Sequence, residues 1–195
     1  KGAYFDNVVK SGAYSRSGLF TDYSRPFIEM AGKTLGIIGL GAIGAKVAKI
    51  GVAFGMKVIY YSTSGTSHNT EYPSVPLERL MRESDVVSVH APYNERTAGL
   101  VGEKELRMMK PKSIIVNMGR GGIVVEEALA KVIDEGVIGG AGLDVYSTEP
   151  IPADHPLLRT RHPERLSLTP HVAWASIEAR ERLIQSIADN IAKGF

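Results

Sequence analysis

From Lys33 onward the chain switches repeatedly between two hydrophobic periods, and that alternation limits the folds open to it more than any other feature. Short unbroken apolar runs occupy Thr34 to Gly39, Lys57 to Tyr61, Asp85 to His90, Ser113 to Asn117, part of Val137 to Val145, and Arg165 to Thr169. Between them lie segments with helical spacing. Ile43, Val47, Ile50 and Phe54 mark one, stopped by Gly55, and Pro76 to Glu83 and Glu103 to Met109 are two more. Val125, Ala128, Leu129, Val132 and Ile133 form a stripe closed by Gly136. Ser176 is placed to cap a last helix bearing Leu183, Ile184, Ile187 and Ile191. A strand that is apolar on both faces must be covered on both faces. The alternation therefore predicts an α/β fold, a doubly wound parallel six-stranded sheet with helices on both sides.

Residues 1–31 read differently. Glycines and serines are interleaved with Tyr4, Phe5, Val8, Val9, Tyr14, Leu19, Phe20 and Tyr23, which suggests a short helix and an aromatic-rich arm. So many large apolar groups imply packing, either on a partner or as a strap across the chain's own domain. The expected division is therefore an N-terminal helix and arm at 1–31 and one α/β domain at 32–195.

Composition narrows the function classes. The 195 residues contain no cysteine, which removes disulfides, thiolate nucleophiles, Cys-based zinc sites and iron–sulfur clusters. A net charge of +2 with no basic stripe argues against nucleic acid as a partner. No apolar segment approaches the ~20 residues of a membrane span. A cytoplasmic protein is expected. Lys1 is not a start methionine, so a piece of a longer protein is expected too.

Gly39-Leu40-Gly41-Ala42-Ile43-Gly44 fits G-x-G-x-x-G, and it sits between a predicted strand and a predicted helix. Without that context the pattern could be a glycine-rich turn with no ligand. In it, Gly39 permits the tight turn, Gly41 lets the backbone approach a pyrophosphate, and Gly44 lets the helix lie against the strand. The helix N-terminus offers unpaired N–H groups to phosphate. This is the Rossmann arrangement, and it implies a dinucleotide cofactor. The acid that usually ends the second strand and holds the adenosine ribose is absent. Lys57 to Asn69 contains no Asp or Glu, and Ser62 stands at the strand's end. Hydroxyls there suit either a ribose or a 2′-phosphate. No Arg lies between residues 58 and 78, so NAD is favoured and NADP is left open.

Ligands of open parallel sheets sit outside the carboxyl ends of the strands. Three ionisable residues fall just after strands four to six: Arg120 in Gly119-Arg120-Gly121-Gly122, Glu149 before Pro150, and His171 after Pro170. Each alone has an ordinary explanation as a surface arginine, a solvated carboxylate or a strand-end histidine. Together they supply a cation, an acid and an imidazole near a nicotinamide, a set suited to reducing the carbonyl of a carboxylate substrate. His68, His155 and His162 lie in polar loops and are expected to be solvated. His90, in His90-Ala91-Pro92, is expected to shape the cofactor's edge.

These segments, with Gly142-Leu143-Asp144-Val145-Tyr146 and Thr169-Pro170-His171, resemble the D-isomer-specific 2-hydroxyacid dehydrogenases along essentially the whole chain. The ending His171-Val172-Ala173-Trp174-Ala175-Ser176 is most similar to their glycerate dehydrogenase (hydroxypyruvate reductase) branch. The resemblance implies that Arg120 holds the substrate carboxylate, that His171 is the acid/base, and that Glu149 orients it and favours its charged form. It also implies that Asp144 meets the nicotinamide carboxamide, and that Ala42, Ile43, Ser62, Ala91, Pro92, Thr97, Met118 and Ala173 contact other parts of the dinucleotide. It implies no metal, a homodimer formed through residues 1–31, a small 2-oxo or 2-hydroxy acid as substrate, and a second domain outside this chain. A non-enzymatic dinucleotide-sensing co-repressor shares the fold and the three groups. Formate dehydrogenase pairs its histidine with glutamine, and Glu149 speaks against it.

Overall fold

The computed structural model describes residues 2–66 and 70–194. His68 therefore lies outside the described residues. The chain forms two compact units, Lys1–Ala31 and Gly32–Phe195. In the first, α1 (Gly2–Lys10) and the single turn α2 (Ala13–Arg16) are joined at Gly12. Phe5 meets Tyr4 and Phe27 edge to face, and Arg25 lies 4.2 Å from the centre of the Tyr4 ring. No residue of α1 or α2 is buried, and Leu19, Phe20, Tyr23 and Phe27 are exposed.

The second unit carries β1 (Thr34–Ile38), α3 (Ala42–Ala53), β2 (Lys57–Tyr61), α4 (Leu77–Glu83), β3 (Val86–Val89), α5 (Glu103–Leu106), β4 (Ile114–Asn117), α6 (Glu126–Asp134), β5 (Gly140–Leu143), β6 (Leu166–Leu168) and α7 (Ile177–Ala192). The six strands form one sheet in the order β2-β1-β3-β4-β5-β6, every pair parallel. The outer edge of β2 is covered by residues 73–75, which bond both backbone groups of Tyr60.

The strands' apolar runs are explained by cover on both faces. Ile37 joins a cluster with Leu35, Ala48, Met56, Val58 and Tyr60. Its neighbour Ile38 points the other way, into a larger cluster with Leu80, Met81, Val87, Val89, Ile115, Leu129, Ile133 and Leu143. Each large aliphatic side chain so buried contributes roughly 1.5–3 kcal/mol. α5 is shorter than its apolar spacing predicts. Residues 108 and 109 tighten into i→i+3 bonds to Glu105 and Leu106, and Pro111 disfavours a helical Lys110. α7 is capped by Ser176, whose hydroxyl accepts the Ala179 N–H at 3.2 Å. Its apolar residues Leu183, Ile184, Ile187 and Ile191 are all exposed.

Candidate active site

The sheet's register builds the site. Tyr61, Ile38, Val89, Asn117, Leu143 and Leu168 are the last residues of their strands, and the pairing places them in one row across the sheet. The segments that follow these strands therefore open on one rim: Ser62, Gly39, His90, Met118, Asp144 and Thr169. The order in which strands are added reverses between β1 and β3, so the crevice of the fold lies beside Gly39 and His90.

The glycine turn fits a dinucleotide phosphate group by its own geometry. Gly39 has φ +90°, and a Cβ there would come within 2.9 Å of the Ala91 backbone. A Cβ on Gly44 would come within 2.4 Å of the Gly39 carbonyl, so α3 packs directly on the turn. Gly41 is different, because nothing lies within 4 Å of its Cβ position and its backbone is open to a ligand. No side chain caps α3 at Gly41, which leaves its first N–H groups, those of Ala42, Ile43 and Gly44, directed at that space. The adjoining cleft, about 510 Å³, is lined by Gly39, Leu40, Gly41, Tyr60, Ser62, Thr63, Ser64, Thr66, His90 and Pro92.

His90 bonds the Ser88 hydroxyl through Nε2 at 2.8 Å, and its buried Nδ1 has no partner among the described residues. Burial pushes the imidazole below its ordinary value of 6.5. The unfolded chain, with an ordinary His90, then takes up the proton first as the pH falls through that value, so the folded state loses stability below it. His90→Gln is expected to flatten the acid side of the stability–pH curve in urea unfolding between about pH 5 and 7. An unchanged slope would contradict this.

Arg120, Glu149 and His171 all line one cavity of about 450 Å³ with Tyr93, Gly121, Gly122, Tyr146 and Ser147. His171 Nδ1 lies 2.7 Å from Glu149 Oε2, with both side chains about one-third exposed, 36% and 35%. Glu149 Oε1 accepts the Tyr146 N–H at 2.9 Å. The bond from His171, then that from Tyr146, holds the Glu149 carboxyl below its ordinary value against a smaller effect of burial. Nδ1 being engaged, Nε2 is the nitrogen of His171 left to exchange a proton with a ligand. Arg120 is exposed, with Nη1 donating to the Gly119 carbonyl at 2.8 Å. Asn117, at the end of β4, shapes its loop: Oδ1 accepts the Gly119 N–H at 3.0 Å and Nδ2 donates to the Arg120 carbonyl at 2.9 Å.

His171 has φ +54°, a region few non-glycine residues adopt. Asp144 maintains it there. This aspartate is 1% exposed, and it accepts bonds from the Thr169 hydroxyl and from the N–H groups of Val172 and Ala173 at 2.9 and 2.8 Å. Burial opposes its ionisation, but these bonds outweigh burial and hold the carboxyl below its ordinary value. The stability they contribute is present above the ordinary aspartate value and is lost as the pH falls through the lowered one. Asp144 is thus a strut beneath the His171 loop. Thr97 is fully buried, with its hydroxyl donating to the Pro92 carbonyl at 2.6 Å and accepting the Asn94 N–H, so it braces the turn from inside. Ala91 is buried as well, while Pro92, Met118 and Ala173 are exposed along the rim.

His155 is a further correction. It is 7% exposed rather than solvated, and its Nε2 lies 2.8 Å from Glu126 Oε2. Nδ1 accepts the Leu157 N–H at 3.3 Å, so the ring proton sits on Nε2 and is donated to Glu126. Glu126 also accepts the Ser147 N–H and hydroxyl at 2.6 and 2.9 Å, which ties down the loop carrying Glu149. The sequence signal was His155-Pro156, since proline at the first position of a short helical turn calls for a cap before it. His162 is half-buried and lies 3.3 Å from Glu164.

With this geometry in place, comparison with known proteins is decisive. Residues 3–173 match the family model described as D-isomer specific 2-hydroxyacid dehydrogenase, NAD binding domain. The chain belongs to this family. It is 43% identical to a glyoxylate reductase of Korarchaeum cryptofilum over 94% of its own length and 57% of the relative's. It is 39% identical to a glycerate dehydrogenase of Methylorubrum extorquens, covering 96% of itself and 58% of that protein. Among solved structures, an acyclic imino acid reductase (Bsp5) in complex with NADPH and D-Arg superposes with a TM-score of 0.80 at 35% identity, over 96% of this chain and 60% of that one. This 2-hydroxyacid dehydrogenase domain therefore spans only about half the length of the curated relatives it matches. Among the described residues no group of three or more His, Asp or Glu side chains is placed to hold a metal, and no helix is long and apolar enough to cross a membrane.

Proposed function

We propose that the protein carrying this chain is an NAD(P)-dependent oxidoreductase acting on a short D-2-hydroxy acid and the matching 2-oxo acid, of glycerate/hydroxypyruvate or glyoxylate size. The observation that carries this reading is the convergence of Arg120, Glu149 and His171 on one cavity, at the same rim as the glycine turn. A bound dinucleotide would supply or accept a hydride there. The α3 N-terminus and Gly41 would hold its pyrophosphate, Ser62 would meet its adenosine ribose, and His90, Ala91, Pro92, Met118, Gly119 and Ala173 would frame the rest. Arg120 binds the substrate carboxylate through its planar fork and orients the carbonyl. In reduction, His171 gives the proton on Nε2 to the carbonyl oxygen while the carbonyl carbon gains the hydride. In oxidation the same nitrogen takes the hydroxyl proton back. Glu149 fixes the ring through Nδ1. The exposed aromatics of residues 1–31 fit a homodimer contact. The proposal includes a cytoplasmic location.

The test is loss of the reduced-nicotinamide absorbance on adding a panel of short 2-oxo acids to the whole protein. Turnover with hydroxypyruvate or glyoxylate is expected. No turnover with any 2-oxo acid, despite dinucleotide binding, would contradict the proposal and favour a sensing role.

A further inference from the structure

Taking the dinucleotide site above as given, we propose that Arg96 builds a 2′-phosphate subsite with the hydroxyls of Ser62, Ser64 and Thr66, and that the chain consequently binds NADPH in preference to NADH. The end of β2 faces the adenosine ribose in this type of fold. A carboxylate there bonds the free ribose hydroxyls and repels a phosphate. This chain has none, because no Asp or Glu occurs from Lys57 to Thr70. A hydroxyl cluster stands in its place. Ser62 Oγ lies 3.1 Å from Ser64 Oγ, which lies 3.3 Å from Thr66 Oγ1. Ser62 and Ser64 both donate to the Thr66 carbonyl, at 2.6 and 3.0 Å, and all three residues line the cleft beside Gly39 and Gly41. Hydroxyl hydrogens rotate freely, so the same groups can turn toward an anion.

The positive charge missing from this stretch of sequence arrives from elsewhere in the chain. Arg96 belongs to the loop after β3, and its Nη1 donates to the Ser64 carbonyl at 2.8 Å. The turn that carries it is well braced. The Arg96 N–H donates to Asn94 Oδ1 at 2.9 Å, and the adjacent Thr97 is the buried brace to Pro92. Arg96 is thus held at both of its ends, its backbone by Asn94 and its guanidinium by Ser64, which lines the cleft. Among the described residues no carboxylate pairs with it, whereas Arg79, Arg107, Lys110, Lys131 and Arg161 are all paired. A guanidinium has five N–H donors in a fixed fork, and the bond to Ser64 uses one of them. The others suit a phosphate, which arginine binds bidentately.

The experiment is calorimetric titration of the 195-residue chain with NADPH and with NADH, repeated for Arg96→Ala and Arg96→Lys. NADPH is expected to bind about tenfold more tightly or better, the effect of one charge-assisted contact. Arg96→Ala should reduce the NADPH-to-NADH affinity ratio by about tenfold, and Arg96→Lys, which keeps the charge without the fork, should restore part of it. Arg96 is exposed, so both variants are expected to fold as the parent does. A parent chain that binds NADH as well as or better than NADPH overturns the subsite, as does a ratio unmoved by Arg96→Ala. Failure of both dinucleotides to bind instead overturns the reading of the cleft as a dinucleotide site.

Discussion

Replacing His171 with asparagine is expected to lower turnover of a 2-oxo acid by roughly 10²- to 10⁴-fold, the share of a general acid. Asparagine is the informative choice because the residue sits at φ +54°, which asparagine tolerates better than alanine. An amide at this position can still face Glu149, but it cannot carry a proton to the carbonyl oxygen. The site should lose its proton donor while keeping its backbone, so the melting temperature should move little. Melting temperature, read beside turnover, separates loss of the acid from loss of structure. Near-normal turnover in His171→Asn would remove this histidine from the chemistry.

Gly121→Ala is expected to be the most disruptive single methyl in the domain. A Cβ at Gly121 would fall 1.9 Å from the carbonyl carbon and oxygen of Tyr146 and 2.4 Å from the Ser147 nitrogen. These are backbone atoms in a loop fixed on both sides. Tyr146 donates its hydroxyl to the Thr169 carbonyl at 3.0 Å, and Ser147 is bound to the buried Glu126. Neither can yield without moving Glu149, whose carboxylate is held by the Tyr146 N–H. The expected cost is at the upper end of overpacking, about 3 kcal/mol, which lowers the melting temperature by roughly 6–12 °C for a domain of this size. The close approach of the two loops also places Arg120 opposite Glu149 and His171, so kcat/KM should fall even below the transition. Thermal unfolding and steady-state kinetics on one preparation read both effects. A variant with parental melting temperature and activity would show that the two loops are not packed as described.

The division between what could be read in the sequence and what could not follows from distance along the chain. The six strands are legible because each is a short apolar run with its own punctuation, and Gly39, Gly55 and Gly136 stop their elements through local backbone conformations. Arg120 and His171 stand out because they directly follow strands, where ligands of parallel sheets gather. Apart from the Glu149–His171 pair, which the resemblance implies, what escapes is the polar contacts between distant segments. Glu126 sits in the first turn of α6, where an acid needs no special explanation, yet it is 2% exposed and bound to Ser147 and His155, residues 21 and 29 positions away. Asp144 holds the chain 25 to 29 residues later. Arg96 lies 32 positions from Ser64, outside any window drawn around the second strand, so a search confined to that window finds no charge there. Polar contacts across loops leave no period in a sequence. They become visible only when the register of the sheet puts the strand ends in one row.

On the proposed function, hydride and proton are delivered to one carbonyl at the rim where Arg120, Glu149 and His171 meet. The most direct test uses the absorbance reaction with reduced dinucleotide carrying deuterium at both nicotinamide C4 positions and hydroxypyruvate or glyoxylate as acceptor, with mass spectrometry of the hydroxy acid formed. One deuteron is expected on the former carbonyl carbon, transferred without exchange with water, and with hydroxypyruvate a product of D configuration. Product without the label, or of L configuration, would contradict it.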